Sequence, residues 1–199
     1  KLSASDLASL DALTSSMAND SLATLEMLSS KWYELGQAAI AGHYAEQLAD
    51  IRKDESSWSI AGTTYLLGLK SATDEKTRQY CKAKALSAFE KAISLNPGNV
   101  DHKINKALCF VELPDEGNPM QGILQLRELN QKHPDNVNVM VQLARLALKT
   151  NQLERAKERL QQALEREPDN KTANCLMVET LDALGDKVNA AKYRERCKK

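Results

Sequence analysis

Glycine and proline are scarce in this chain of 199 residues, numbering 8 and 5. So few breakers exclude an architecture threaded by many tight turns. Aromatic residues make up only 5%, and no useful run alternates Val, Ile, Thr or aromatics as a strand would. No segment approaches the roughly 18 consecutive apolar residues of a membrane helix, and no signal-peptide pattern is present. Net charge is absent as well, with 27 Lys and Arg against 27 Asp and Glu; a concentrated basic stripe of the kind nucleic acids select is missing. The cysteines, Cys81, Cys109, Cys175 and Cys197, never stand at CxxC spacing, which excludes the usual metal and redox pairs.

What is present is helical. Hydrophobic residues make up 42% and charged residues 27%, the balance of a folded chain rather than a disordered one. Abundant Ala, Leu, Lys, Glu and Gln, joined by short polar breaks, predict an all-α protein. All four cysteines fall in helical, mostly apolar contexts, so each is expected to be a small buried hydrophobe, a pattern that favours a reducing compartment. Charge is uneven along the chain. Residues 1–74 carry 5 basic against 10 acidic groups, and residues 75–199 carry 22 against 17. Such a split steers a polarised partner or is simply the solvated face of surface helices.

The decisive feature is a period. Pro97, Pro134 and Pro168 each follow an apolar helical stretch and precede a polar pair: Gly98-Asn99, Asp135-Asn136 and Asp169-Asn170. Pro134 and Pro168 are 34 positions apart, Pro97 and Pro134 37. Proline cannot continue a helix, and the Asp or Asn after it can cap the next one. Between the stops the apolar positions recur at helical spacing. Leu143, Ala144 and Ala147 precede a polar turn at Thr150-Asn151-Gln152, and Ala156, Leu160 and Ala163 follow it. In the next interval Met177, Val178 and Leu181 precede Gly185-Asp186, and Ala190, Arg194 and Cys197 take the matching second-helix offsets.

Trp58, Ala61, Gly62 and Tyr65, closed by Ala85, Phe89, Ala92 and Pro97, resemble the opening and closing positions of a tetratricopeptide repeat. Eleven residues more than the family spacing separate Tyr65 from Ala85, and they are read as an elongated connection around Lys70–Glu75, with Thr73 or Asp74 capping a long second helix to about Leu95. The interval Asp101–Pro134 carries Ala107, Phe110, Gly122, Leu126 and Leu129, with Asn118 and Pro119 opening its second helix. Upstream, Leu25, Leu28, Ser29 and Trp32 form a first-helix face, Gly36 a turn, and Ala41, Ala45 and Leu48 the second helix. The resemblance implies a right-handed α-solenoid of about five helical hairpins, approximately 22–54, 55–99, 100–136, 137–170 and 171–199, in one domain spanning 1–199. A helix over 5–18 precedes them and covers the open end. The likeness is to bacterial repeat proteins, and in its layout to the soluble part of membrane-anchored cell-envelope members.

In such an array the first helices line a concave surface suited to an extended peptide or a helix. Positions one step off the packing face are the expected groove residues: Thr63, Asp101, Asn105, Asn138, Gln142, Arg145, Lys149, Glu179 and Asp182. The expected function is a non-catalytic scaffold for another protein or peptide. The alternative is a self-associating assembly subunit of an envelope complex, a possible homodimer built on an uncapped end that exposes Leu181 and Leu184. Some family members clamp a chaperone's terminal carboxylate with basic side chains. With Asn105 as the central Asn, the flanking pairs are Ser59/Thr63 and Asn138/Gln142; none is basic, which argues against that use. His43, His102 and His133 are dispersed, and no HExxH, GxGxxG, GxxxxGK[ST] or GxSxG occurs. No catalytic residue, metal site or cofactor is expected, nor a nucleic-acid partner, nor membrane contact within this segment. Location is expected to be cytoplasmic, or periplasmic if a signal or anchor was removed before Lys1.

Overall fold

The computed structural model describes residues 3–16, 21–115 and 118–198, and among these there are eleven α-helices and no strand. They are α1 (Ala4–Ser16), α2 (Ser21–Glu34), α3 (Ala38–Arg52), α4 (Glu55–Ser71), α5 (Glu75–Leu95), α6 (Val100–Glu112), α7 (Met120–Lys132), α8 (Val137–Lys149), α9 (Leu153–Arg166), α10 (Lys171–Ala183) and α11 (Lys187–Lys198). The end of the N-terminal helix expected over 5–18 lies outside the described residues. The chain divides into two compact units, 1–122 and 123–199.

The helix boundaries are where the punctuation puts them. Asn99, Asn136 and Asn170, each two positions after a proline, accept the backbone N–H of Asp101, Val139 and Ala173 at 3.0, 3.0 and 2.9 Å. Asn118 accepts from the Met120 N–H at 2.9 Å. Each satisfies a donor that a helix start leaves open. The hairpin turns recur too. Gly36, Asn151 and Gly185 have φ of 71°, 56° and 80°, and the residue after each donates its N–H back to Trp32, Ala147 and Leu181 respectively. This is the left-handed closure that ends a helix and reverses the chain.

In unit 1, α1 is tied to α2 by Lys31 and Asp6, 2.9 Å apart. The next two hairpins stack on small residues: Ala41, Ala45, Ala49, Ala61, Ala85, Ala88 and Ala92 are all buried. Glu46 on α3 accepts from Tyr65 Oη of α4 at 2.8 Å and from Lys84 Nζ of α5 at 2.9 Å, joining three helices. Gly122, at the start of α7, lies so close to α6 that a Cβ there would fall 2.6 Å from the Ala107 carbonyl oxygen.

The eleven extra residues do not form an elongated connection. Helix α4 continues through Ser71, α5 begins at Glu75 under an Asp74 cap, and only Ala72–Asp74 separate them. The reason is burial: Leu66, Leu69 and Cys81 are 5%, 0% and 0% exposed, so lengthening both helices covers apolar surface that a loop would leave in water.

In unit 2, α8–α11 enclose a core that includes Val141, Ala144, Leu160, Leu164, Met177 and Leu181. Ala156 and Ala163 are completely buried. Three expectations fail here. Arg194 is exposed, and Tyr193 instead packs on the core from α11. Leu181 is 2% exposed because α11 lies over it, and Leu184 is half-buried. Cys175 and Cys197 are not separate buried thiols but a disulfide, with Cα atoms 4.8 Å apart. The antiparallel α10–α11 hairpin returns Cys197 to the level of Cys175, an encounter that spacing along the chain does not reveal. Cys81 and Cys109 are the buried free thiols expected.

Candidate protein-binding grooves

The alternation of first and second helices decides which side chains are left over for a guest. In unit 1 the packing face of α4 carries Trp58, Ala61, Tyr65 and Leu69, all buried. The opposite stripe, Ile60, Thr63 and Leu67, is exposed. Two shallow depressions of about 290 Å³ each flank it. One lies between α4 and α2 and is lined by Tyr33, Thr63, Leu67 and Lys70 among others. The second lies between α4 and α6 and is lined by Glu55, Ser59, Ile60, Thr63 and His102. Thr63 borders both, and its hydroxyl donates to the Ser59 and Ile60 carbonyls at 2.9 and 3.0 Å.

The second depression has a charged anchor at one end. Glu55 accepts from Asn96 Nδ2 at 2.9 Å, Asn99 Nδ2 at 2.8 Å and His102 Nε2 at 2.6 Å. The hydrogen bond from Asn96, then those from Asn99 and His102, hold its carboxyl down at about 2. One carboxylate thus fastens the start of α4 to the α5–α6 turn, and buried His102, through Nε2, is part of the same latch. Nothing local in the sequence marks Glu55, because its partners lie more than 40 positions away.

In unit 2, α8 and α10 leave an open groove of about 570 Å³, lined by Arg145, Leu148, Lys149, Lys171, Thr172, Cys175, Leu176 and Glu179. Three of the residues expected from helical phase, Arg145, Lys149 and Glu179, therefore share one groove. Arg145 is half-buried and donates from Nη1 to Gln142 Oε1 at 3.2 Å. Asn138 is exposed on the first turn of α8. Asp182 is outside the groove lining and accepts from Arg194 Nη2 at 2.7 and 2.9 Å. In unit 1, Asp101 is exposed at the start of α6 and Asn105 is half-buried one turn later; neither lines the depressions beside α4. Tyr33, Ile60, Leu67, Leu148 and Leu176 also line these depressions and are not among the residues expected from the sequence. Ile60 and Leu67, three before and four after Thr63, repeat the helical phase that selected Thr63, so that signal was available.

The comparisons agree with this fold. The tetratricopeptide repeat family profile matches residues 115–178. A thermophilic TPR protein of Thermus thermophilus superposes with a TM-score of 0.63 at 18% identity, over 88% of this chain and 90% of that one. A tetratricopeptide repeat protein of Parabacteroides merdae gives 0.68 at 16% identity, over 98% and 72%. The tetratricopeptide repeat and J domain-containing co-chaperone DNJ1 of Fusarium oxysporum f. sp. lycopersici is 28% identical over 178 residues, which are 86% of this chain. The chain spans about a third of that co-chaperone's length, 33%. With hairpins capped and stacked as the repeat requires, the chain has the fold of a tetratricopeptide repeat protein, and its residues 115–178 match that family's profile.

Proposed function

We propose that this chain is a non-catalytic scaffold that holds a segment of another protein against the first helices of its hairpins. The α8–α10 groove carries the reading. Its apolar part, Leu148 and Leu176, is bordered by Arg145, Lys171, Thr172 and Glu179, so an apolar side chain of a guest can be covered while neighbouring polar groups fix its orientation. The α4 surface in unit 1 offers a complementary, less charged strip of Tyr33, Ile60 and Leu67, which are 55%, 53% and 39% exposed. A lone exposed apolar residue needs no explanation, but three beside two depressions favour a contact surface. The co-chaperone relationship supports a protein partner.

The test is a peptide array probed with the purified chain. Arg145→Glu and Ile60→Asp change partly or largely exposed side chains and should leave the melting temperature nearly unchanged. Peptides retained by the wild type should be lost or weakened tenfold or more by one variant or the other. Equal retention by both variants would move the binding surface elsewhere.

A further inference from the structure

Helix α11 is weakly anchored by packing. Ala190 is its one fully buried residue among those described, Tyr193 is half-buried, and Val188 is 78% exposed. A helix of 12 residues is marginal without tertiary support. Its ion pairs, Arg194 with Asp182 and Arg196 with Asp169 at 3.8 Å, are exposed, and such pairs contribute little. The covalent link to Cys175 is made at the opposite end of the helix from its turn, in the last turn. Cys175 itself lines the α8–α10 groove.

We propose that the Cys175–Cys197 disulfide is a redox-sensitive clamp on the wall of this groove, formed in an oxidising compartment and opened by a thiol reductant. The clamp rests on the structure of the α10–α11 hairpin; only its consequence for a guest rests on the proposed binding groove. Both cysteines are half-buried, so a small dithiol can reach the bond. Its thiolate attacks Cys175 Sγ from the open groove, forming a mixed disulfide and expelling Cys197 as a thiolate. The second thiol of the reductant then displaces Cys175 and closes the reductant's own disulfide. The protein gains two electrons and two protons, and the dithiol loses them. Once released, α11 uncovers the side of α10 that Ala190 and Tyr193 cover, next to Met177 and Leu181. The other two cysteines lie buried in unit 1 and are unpaired, which confines the response to the terminal hairpin.

Hydrogen exchange by mass spectrometry on the full chain, equilibrated with oxidised or reduced dithiothreitol, tests this without any ligand. Removing a link across 22 positions should reduce protection in 187–198 by roughly tenfold to a hundredfold, with α8 and α9 little changed. The Cys175→Ser/Cys197→Ser variant should show the same pattern under both conditions. Unchanged exchange in α11 on reduction would overturn the clamp, as would equal loss of protection throughout unit 2. Alkylation of the oxidised chain in denaturant should label two cysteines; four labels would show that the bond does not form. The clamp can fail here while Arg145→Glu still abolishes peptide retention, and the reverse, so the two readings fail separately.

Discussion

Gly62 of α4 sits against the ring of Phe89 of α5 so closely that a Cβ on the glycine would lie 2.6 Å from Phe89 Cε1. The same relation links Gly42 of α3 to Tyr65 of α4, again at 2.6 Å. Each aromatic side chain thus occupies space that only glycine on the neighbouring helix leaves open. Phe89 and Tyr65 are both fully buried, so neither ring has an easy retreat.

Gly62→Ala should therefore destabilise unit 1 by about 1–3 kcal/mol through overpacking, although alanine is the better helix former. Gly98→Ala is the control, because a Cβ there meets only Asn96 Oδ1 at 3.4 Å. Thermal melts followed by circular dichroism separate the two. Equal midpoints for both variants would show that the α4–α5 contact yields without cost.

In unit 2, Ala156 on α9 is completely buried. Ala156→Arg places a long cation where no volume is available and should cost several kcal/mol, on the order of 3 or more. Chemical denaturation should show a lower midpoint. An unchanged midpoint would mean that the register of the 137–170 hairpin is wrong.

Stability should depend on pH through Glu55. Its carboxyl is held at about 2 in the folded chain against an ordinary value of 4.5, chiefly by Asn96 and then by Asn99 and His102. A folded value below the unfolded one means that the carboxylate contributes stability above about 4.5, and that this is lost as pH falls toward about 2. The stability gap between wild type and Glu55→Gln should narrow over that window, as read by urea unfolding at a series of pH values. A gap of constant size would show that the latch is not electrostatic.

The two free thiols should be silent in the native protein. Burial pushes Cys81 up to about 11 and Cys109 up to about 12, and it is the thiolate that reacts. A disulfide-exchange reagent at pH 8 should register almost no thiol before denaturation and two after it. Rapid native reaction at either residue would mean that unit 1 opens locally at the α4–α6 interfaces.

Helical phase alone picks out part of the lining of one candidate groove. Arg145, Lys149 and Glu179 were selected as one step off the packing face, and they line one groove. The same rule placed Asp182 beside them, yet its carboxylate is taken by Arg194 of its own hairpin. Phase gives the direction of a side chain from its helix, but not which long cation from the next helix will reach it. Ile60 and Leu67 were passed over for the opposite reason: an apolar residue is assumed to point inward unless the packing partners on the other face are already known.

The sequence by itself determined the helices and most of their ends. Proline spacing, the Asn residues that follow and the small residues at intervals of three and four act within one turn or one hairpin, where chain neighbours are also spatial neighbours. Tertiary structure decided the rest. It converted eleven surplus residues into longer α4 and α5 because Leu66 and Leu69 found a core to enter, joined Glu55 to a turn more than 40 positions away, and brought Cys197 back to Cys175. Those outcomes depend on which helix faces meet after the chain has folded back, and that information is carried by packing between helices rather than by the order of residues along any one of them.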